Sequence, residues 1–300
     1  MDFRLRKHET ISAGCQRVAC EEIAAVLQDL HACAVCEDPA KPIHDARKHL
    51  KKLRALVRFV RPVIGDEAWL RETGTFRRAA RRLAIARDAE VCVRTIEDLC
   101  HEAPEGLLAP LDQARAFFSE ILAHHRNPAH RTLDAIGGSL VDAAASVREW
   151  EFAAGCEKTI RKGLDRIYRR ARKARSKAEE TPSTECLHKW RQRTKEFWAL
   201  MRLFREIGGK QFGRLEKDAK ELGELLGTDH DLGVLKDSLY RDREAAGIDE
   251  SAFPEIERLI EERRSNLQRK AWKLGSECYR EKPRRFVERF VECWEDWHKG

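Results

Sequence analysis

Glycine and proline are scarce in this chain, 17 and 9 among 300 residues. That excludes collagen-like and linker-like architectures and removes most of the turn chemistry that an all-β fold requires. Sustained alternation of apolar and polar residues, the mark of half-buried strands, is missing too. So are long apolar runs: no segment approaches the roughly 20 residues of a membrane span, and no signal-like stretch follows residues 1–7. The expectation is a cytoplasmic protein with no membrane association. The ten cysteines carry no paired spacing apart from Cys33-Ala34-Val35-Cys36, with no second pair to complete a zinc site. They read as reduced thiols, Cys33 and Cys36 in a loop, and neither metal nor cofactor is implied.

What the chain has in quantity is charge. Charged residues make up 36%, with 58 Lys and Arg against 51 Asp and Glu, a net charge of +7, and they alternate with apolar residues at helical spacing. An all-α protein follows, its helices expected over 9–31, 43–63, 67–82, 88–101, 107–126, 130–150, 161–180, 185–207, 212–226, 231–246, 253–279 and 283–299. Pro39 and Pro42, Gly65-Asp66, Asn127-Pro128, Thr181-Pro182-Ser183-Thr184 and Gly208-Gly209 punctuate them. Helices joined by such short loops pack as antiparallel neighbours.

One helix organises the rest. His44, Arg47, Lys51, Arg54, Arg58 and Arg61 recur every three or four residues, so at about 100° per residue they share one face. Leu50, Leu53, Val57, Val60 and Ile64 form an apolar stripe beside them. In the second half His188, Arg191, Lys195, Arg202 and Arg205 repeat the spacing, with Trp198 in the place of Arg54. Each stripe is followed by a second block, Leu83-Ala84-Ile85-Ala86-Arg87-Asp88 and Leu226-Gly227-Thr228-Asp229-His230-Asp231, the latter read as a turn. Two blocks in one order imply a duplication, with units over 1–150 and 151–300. Arg77 and Arg81 on the next helix are spaced to face the same way, and Arg169 and Arg172 mark a further basic helix.

Like charges three and four apart destabilise a helix by some tenths of a kcal/mol per pair. Solvated basic helices normally intersperse Glu, yet the first stripe has none among its positions; Glu196 and Gln192 dilute the second. A row spanning about 26 Å of helix suits a long anion, with Arg forks and flexible Lys charges on phosphate oxygens. Nucleic acid is the weaker fit, because the first stripe offers no aromatic for stacking. The tryptophans Trp190, Trp198, Trp272, Trp294 and Trp297 sit at core spacing.

The motifs His44-x-x-Arg47-x-x-x-Lys51-Lys52-Leu53-Arg54 and Leu187-His188-x-x-Arg191-x-Arg193-x-Lys195, each followed by its Arg-Asp or His-Asp block, together with Tyr168-Arg169-Arg170-Ala171-Arg172, resemble the conserved-histidine α-helical domain, or CHAD, family over nearly the whole chain. The resemblance implies two related antiparallel four-helix bundles with pseudo-twofold duplication, facing a central basic groove that binds inorganic polyphosphate. Candidate ligand-binding residues are His44, Arg47, Lys48, Lys51, Lys52, Arg54, Arg77, Arg81, Arg87, Arg169, Arg172, His188, Arg191, Lys195, Arg202 and His230, with no catalytic residue. Association with polyphosphate granules goes with that ligand. Many relatives carry an additional triphosphate hydrolase marked by Glu-x-Glu-x-Lys, a strand not found here. The alternatives are a metal-dependent phosphohydrolase built on His44-Asp45 and His230-Asp231, and a nucleic-acid-binding helical protein. The first needs further His and Asp ligands where this sequence has Arg and Lys.

Overall fold

A computed structural model describes residues 3–84, 87–125, 130–152, 156–207 and 209–299, without the side chains of 87, 125, 156–157, 210–211 and 298–299. The described residues form ten helices and no strand, as the patterning requires: α1 (Ile11–Val35), α2 (Ala40–Arg82), α3 (Arg87–Cys100), α4 (Glu105–His125), α5 (His130–Arg148), α6 (Cys156–Glu180), α7 (Thr184–Leu203), α8 (Gly209–Asp242), α9 (Phe253–Cys278) and α10 (Pro283–Lys299). No helix among the described residues is long and apolar enough to cross a membrane.

Local chemistry sets the boundaries. Thr10 caps α1 by accepting from the Ala13 amide at 3.2 Å, and Ser183 caps α7 by accepting from the Cys186 amide at 3.2 Å; both satisfy an amide that a helix start leaves orphaned. Within α2, Gly65 adopts φ 84° and ψ 168°, a region open essentially to glycine alone. The helix is therefore two arms, 40–64 and 66–82, the second turned back far enough for Arg77 to act on Arg54.

Packing follows a recurring order. α1 lies on α2 and α5, α6 on α7 and α10, α3 on α4, and α8 on α9, while α2 against α6 and α7 and α3 against α8 join the two series. The backbones of α2 and α6 approach where α6 has no side chain: a Cβ on Gly163 would sit 2.7 Å from the Phe59 carbonyl oxygen. A large apolar cluster includes Leu50, Leu53, Phe59, Leu164, Tyr168, Trp190, Phe197, Phe204 and Phe290. A smaller one joins Cys92, Ile96, Leu111 and Phe118 to Leu232, Leu235, Ile256 and Ile260. Both draw side chains from either side of residue 150. Trp190 is fully buried and stacks on half-buried Trp272 at 4.6 Å, and Trp294 is buried against Trp297.

Several expected boundaries move. α1 runs to Val35, so Cys33 is a buried helical thiol, its pKa pushed up to about 11 by burial, and only Cys36 is exposed. α7 stops at Leu203. The turn expected at Leu226-Gly227-Thr228-Asp229-His230-Asp231 does not form, and α8 passes straight through it. Tertiary contacts override the glycine: Asp229 is buried and accepts from Arg264 at 3.2 Å and Gln268 at 2.7 Å, both on α9. The expected turn at Asn127-Pro128, the stop at Gly208, the Ile85-Ala86 step and the Arg87 side chain lie outside the described residues.

Candidate functional site

The two stripe helices meet. His44, Arg47 and Lys51 from α2 and Arg191 and Lys195 from α7 line one cavity of about 290 Å³, joined by Arg94 from α3 and Arg263 from α9. Each half thus supplies cations to a shared space, because α2 packs on α7 and α3 on α8. Arg191 comes close to α8 at Gly227, where a Cβ would make an ordinary van der Waals contact with the Arg191 Nε at 3.6 Å.

The lining is not purely basic. Glu90, Asp98, Glu224 and Asp231 share it with six Lys and Arg residues, so the formal charge stays positive before His44 is counted. Asp231 stands 3.0 Å from Arg94 Nη2 and 3.8 Å from Arg191 Nη2. His44 is exposed, yet partial burial pushes its pKa below the ordinary imidazole value, Lys48 and Lys51 adding to the effect and Glu90 and Asp45 opposing it.

His188 and His230 face each other, their rings 4.4 Å apart and their Nδ1 atoms 3.3 Å apart. The Gln192 amide nitrogen donates to His188 Nε2 at 2.6 Å. With that nitrogen accepting, the His188 proton sits on Nδ1, directed at His230. His230 is therefore a mid-helix residue held by ring contact.

Beyond Lys51 the first stripe leaves the cavity. Arg54 is half-buried, and burial, reinforced by the charge of Arg77, pushes its pKa down. Arg58 is buried and pairs with Glu196 on α7, which also accepts from Arg193 at 2.6 Å. Burial pushes both guanidiniums down, and Arg170 and Arg54 add like charge around each of them. Glu196 thus faces a buried arginine cluster between α2 and α7 rather than diluting the groove. Arg61 lies over the Trp69 ring at 3.6 Å and donates to Asp66 at 2.7 Å.

Other candidates scatter. Lys52 turns toward α1, donating to buried Glu22 at 3.0 Å, away from the cavity. Lys48 donates to Asp45 at 2.8 Å. Arg169 pairs with Asp165 at 2.7 Å, and Arg172 donates to the Glu281 carbonyl at 2.5 Å on the α10 side of α6. Arg202 lies 5.9 Å from the Trp198 ring. Arg77 and Arg81 are exposed on the second arm of α2. The residues that sequence reasoning passed over are Arg94, Arg263, Glu90, Asp98 and Glu224, while Asp231 figures there only within its block and as half of a His-Asp pair. Only Arg94 carries a signal, lying two helical turns after Arg87 on the same face.

The family model for the CHAD domain matches residues 19–240. A crystal structure of the CHAD domain from the plant Ricinus communis superposes with a TM-score of 0.63 at 16% identity, covering 92% of this chain and 93% of that one. Likeness at that identity bears on the fold. Among curated proteins nothing matches.

Proposed function

Since the chain belongs to the CHAD family, whose model matches it from residue 19 to residue 240, we propose that it binds inorganic polyphosphate, without turnover, in the groove between α2 and α7. The observation that carries this is the meeting of both cation rows in one cavity, His44, Arg47 and Lys51 opposite Arg191 and Lys195. A polyphosphate chain supplies closely spaced oxyanions with no bases to stack, which suits a lining of Arg and Lys without aromatic platforms. Arg77 and Arg81, exposed on the returning arm of α2, offer further contacts to a chain that extends past the cavity. A cytoplasmic setting, with or without polyphosphate granules, belongs to the same proposal.

Binding rather than hydrolysis is favoured by the surroundings of the two His-Asp pairs. Asp45 is held by Lys48, and Asp231 by Arg94 and Arg191. Among the described residues no group of three or more His, Cys, Asp or Glu is placed to hold a metal ion. A His-Asp hydrolase concentrates such ligands and keeps cations away from them.

The test is a thermal-shift and affinity titration with long-chain polyphosphate at two salt concentrations. A rise in melting temperature is expected, with affinity falling steeply as salt increases, because bound phosphates displace counterions. No binding at low salt by folded protein would refute the reading, and stronger binding of single- or double-stranded nucleic acid in competition would replace it.

A further inference from the structure

We propose that Asp231 is a built-in competitor for the groove arginines and sets the preference of the site for long phosphate chains over short ones. The inference rests on the polyphosphate reading above and goes beyond it by assigning chain-length selection to one residue. Asp231 projects from α8 into the cavity, its two carboxylate oxygens directed at guanidiniums from different helices, Oδ2 to Arg94 on α3 at 3.0 Å and Oδ1 to Arg191 on α7 at 3.8 Å. A carboxylate between two arginines occupies the place that a phosphate would take, with similar charge and similar oxygen geometry.

Because the carboxylate is tethered, it competes at a high effective concentration. Its side chain is mostly buried, at 15% relative exposure, and Arg191 is equally enclosed at 12%, so solvent screens the Arg191 contact little. A short phosphate confined to the cavity must displace Asp231 to reach both arginines. A long chain also draws on cations beyond the cavity, Arg77 and Arg81 exposed on the second arm of α2, and binds without opening that pair.

The experiment compares the full chain with Asp231→Asn and Asp98→Asn, titrating each with tripolyphosphate and with long-chain polyphosphate at fixed low salt. Asp98 lines the same cavity and forms no side-chain ion pair among the described residues, so its variant removes the same charge without releasing an arginine. Asp231→Asn is expected to strengthen tripolyphosphate binding about tenfold, the equivalent of one partly buried charge pair, and long-chain binding less than about threefold. Asp98→Asn should change both ligands equally and weakly. Asp231→Ala gives a second reading should the amide variant fold poorly.

Unchanged or weakened tripolyphosphate binding in Asp231→Asn, while long chains still bind, would overturn the inference and make Asp231 a residue that positions Arg94 and Arg191. An equal gain from Asp98→Asn would reduce the effect to bulk charge and also overturn it. If the unaltered protein binds no long chain, the polyphosphate reading itself falls, and this inference with it.

Discussion

Replacing Glu196 by glutamine isolates the largest electrostatic commitment between α2 and α7. Its carboxylate accepts from Arg193 through both oxygens, at 2.6 and 2.8 Å, and from Arg58. The side chains of Arg58 and Arg193 are each only 9% exposed, and Arg170 and Arg54 act on both as like charges. The amide keeps the shape and one acceptor but strands two buried cations. Breaking a buried pair in this way costs about 3–5 kcal/mol, and the retained acceptor puts the amide variant near about 3 kcal/mol. For a chain of this size that lowers the melting temperature by roughly 5 °C. Calorimetry and urea unfolding at constant m-value measure it. The triple variant Arg58→Met, Arg193→Met and Glu196→Leu should recover most of the loss, because apolar side chains of similar volume then replace the whole buried ion cluster at little cost. A loss below about 1 kcal/mol for Glu196→Gln, or a triple variant as unstable as the single, would refute the reasoning.

Other outcomes follow from the groove and the core. Lys51→Gln and Lys195→Gln should each weaken polyphosphate binding and reduce the slope of log affinity against log salt by about one, measured by titration across four salt concentrations. His44 has a pKa pushed down by burial, with Lys48 adding to it, so near about pH 6 the folded protein binds fewer protons than the unfolded chain. Its contribution to stability therefore declines as pH falls through the ordinary imidazole range, and a polyanion, by favouring the imidazolium, should drive proton uptake on binding. Calorimetric titration near about pH 6, in buffers of different ionisation enthalpy, detects that uptake, and His44→Gln should abolish most of it. Gly163→Ala places a Cβ 2.7 Å from the Phe59 carbonyl oxygen and should destabilise by about 1–3 kcal/mol through overpacking, read by urea denaturation, with the groove residues unaltered.

The helical class and most element ends were legible because they rest on local chemistry, as at the Ser183 cap, the Pro283 start and the Gly65 break. The cavity was legible only in part. Spacing puts His44, Arg47 and Lys51 on one face, and that much is geometry of the helix itself. Which stretch of a charged row faces a shared space, and which faces a partner's carboxylate, is decided by a helix distant in sequence. Arg58 and Arg54 differ by one turn, yet Arg58 meets Glu196 from 138 positions away. Lys52 looks like part of the stripe, but Glu22 on α1 takes it. The turn expected at residues 226–231 failed for the same reason, since Arg264 and Gln268 on α9 satisfy Asp229 within a continuous helix. Carboxylates in the cavity carry no periodic signal, and Asp231 was legible only as a block residue.

This division of labour among cations bears on how ligand and fold are linked. Arg58, Lys52 and Arg169 have carboxylate partners, so the free energy of their charges is settled when the chain folds. Six Lys and Arg residues line the cavity together with four carboxylates, a formal excess of positive charge that an entering anion would reduce. Those cations stand on α2, α3, α7 and α9, helices that reach both apolar clusters: α2 and α7 belong to the larger, α3 to the smaller, and α9 to both. A polyanion at one hundred times its dissociation constant adds about 2.7 kcal/mol to the folded state, and here that increment acts where the two clusters adjoin. Ligand and buried pairs therefore oppose the same failure, separation of the helices that carry like charge: Glu22 and Glu196 meet Lys52 and Arg58 inside the packing, and under the proposed function a polyanion acts on the cations that line the cavity.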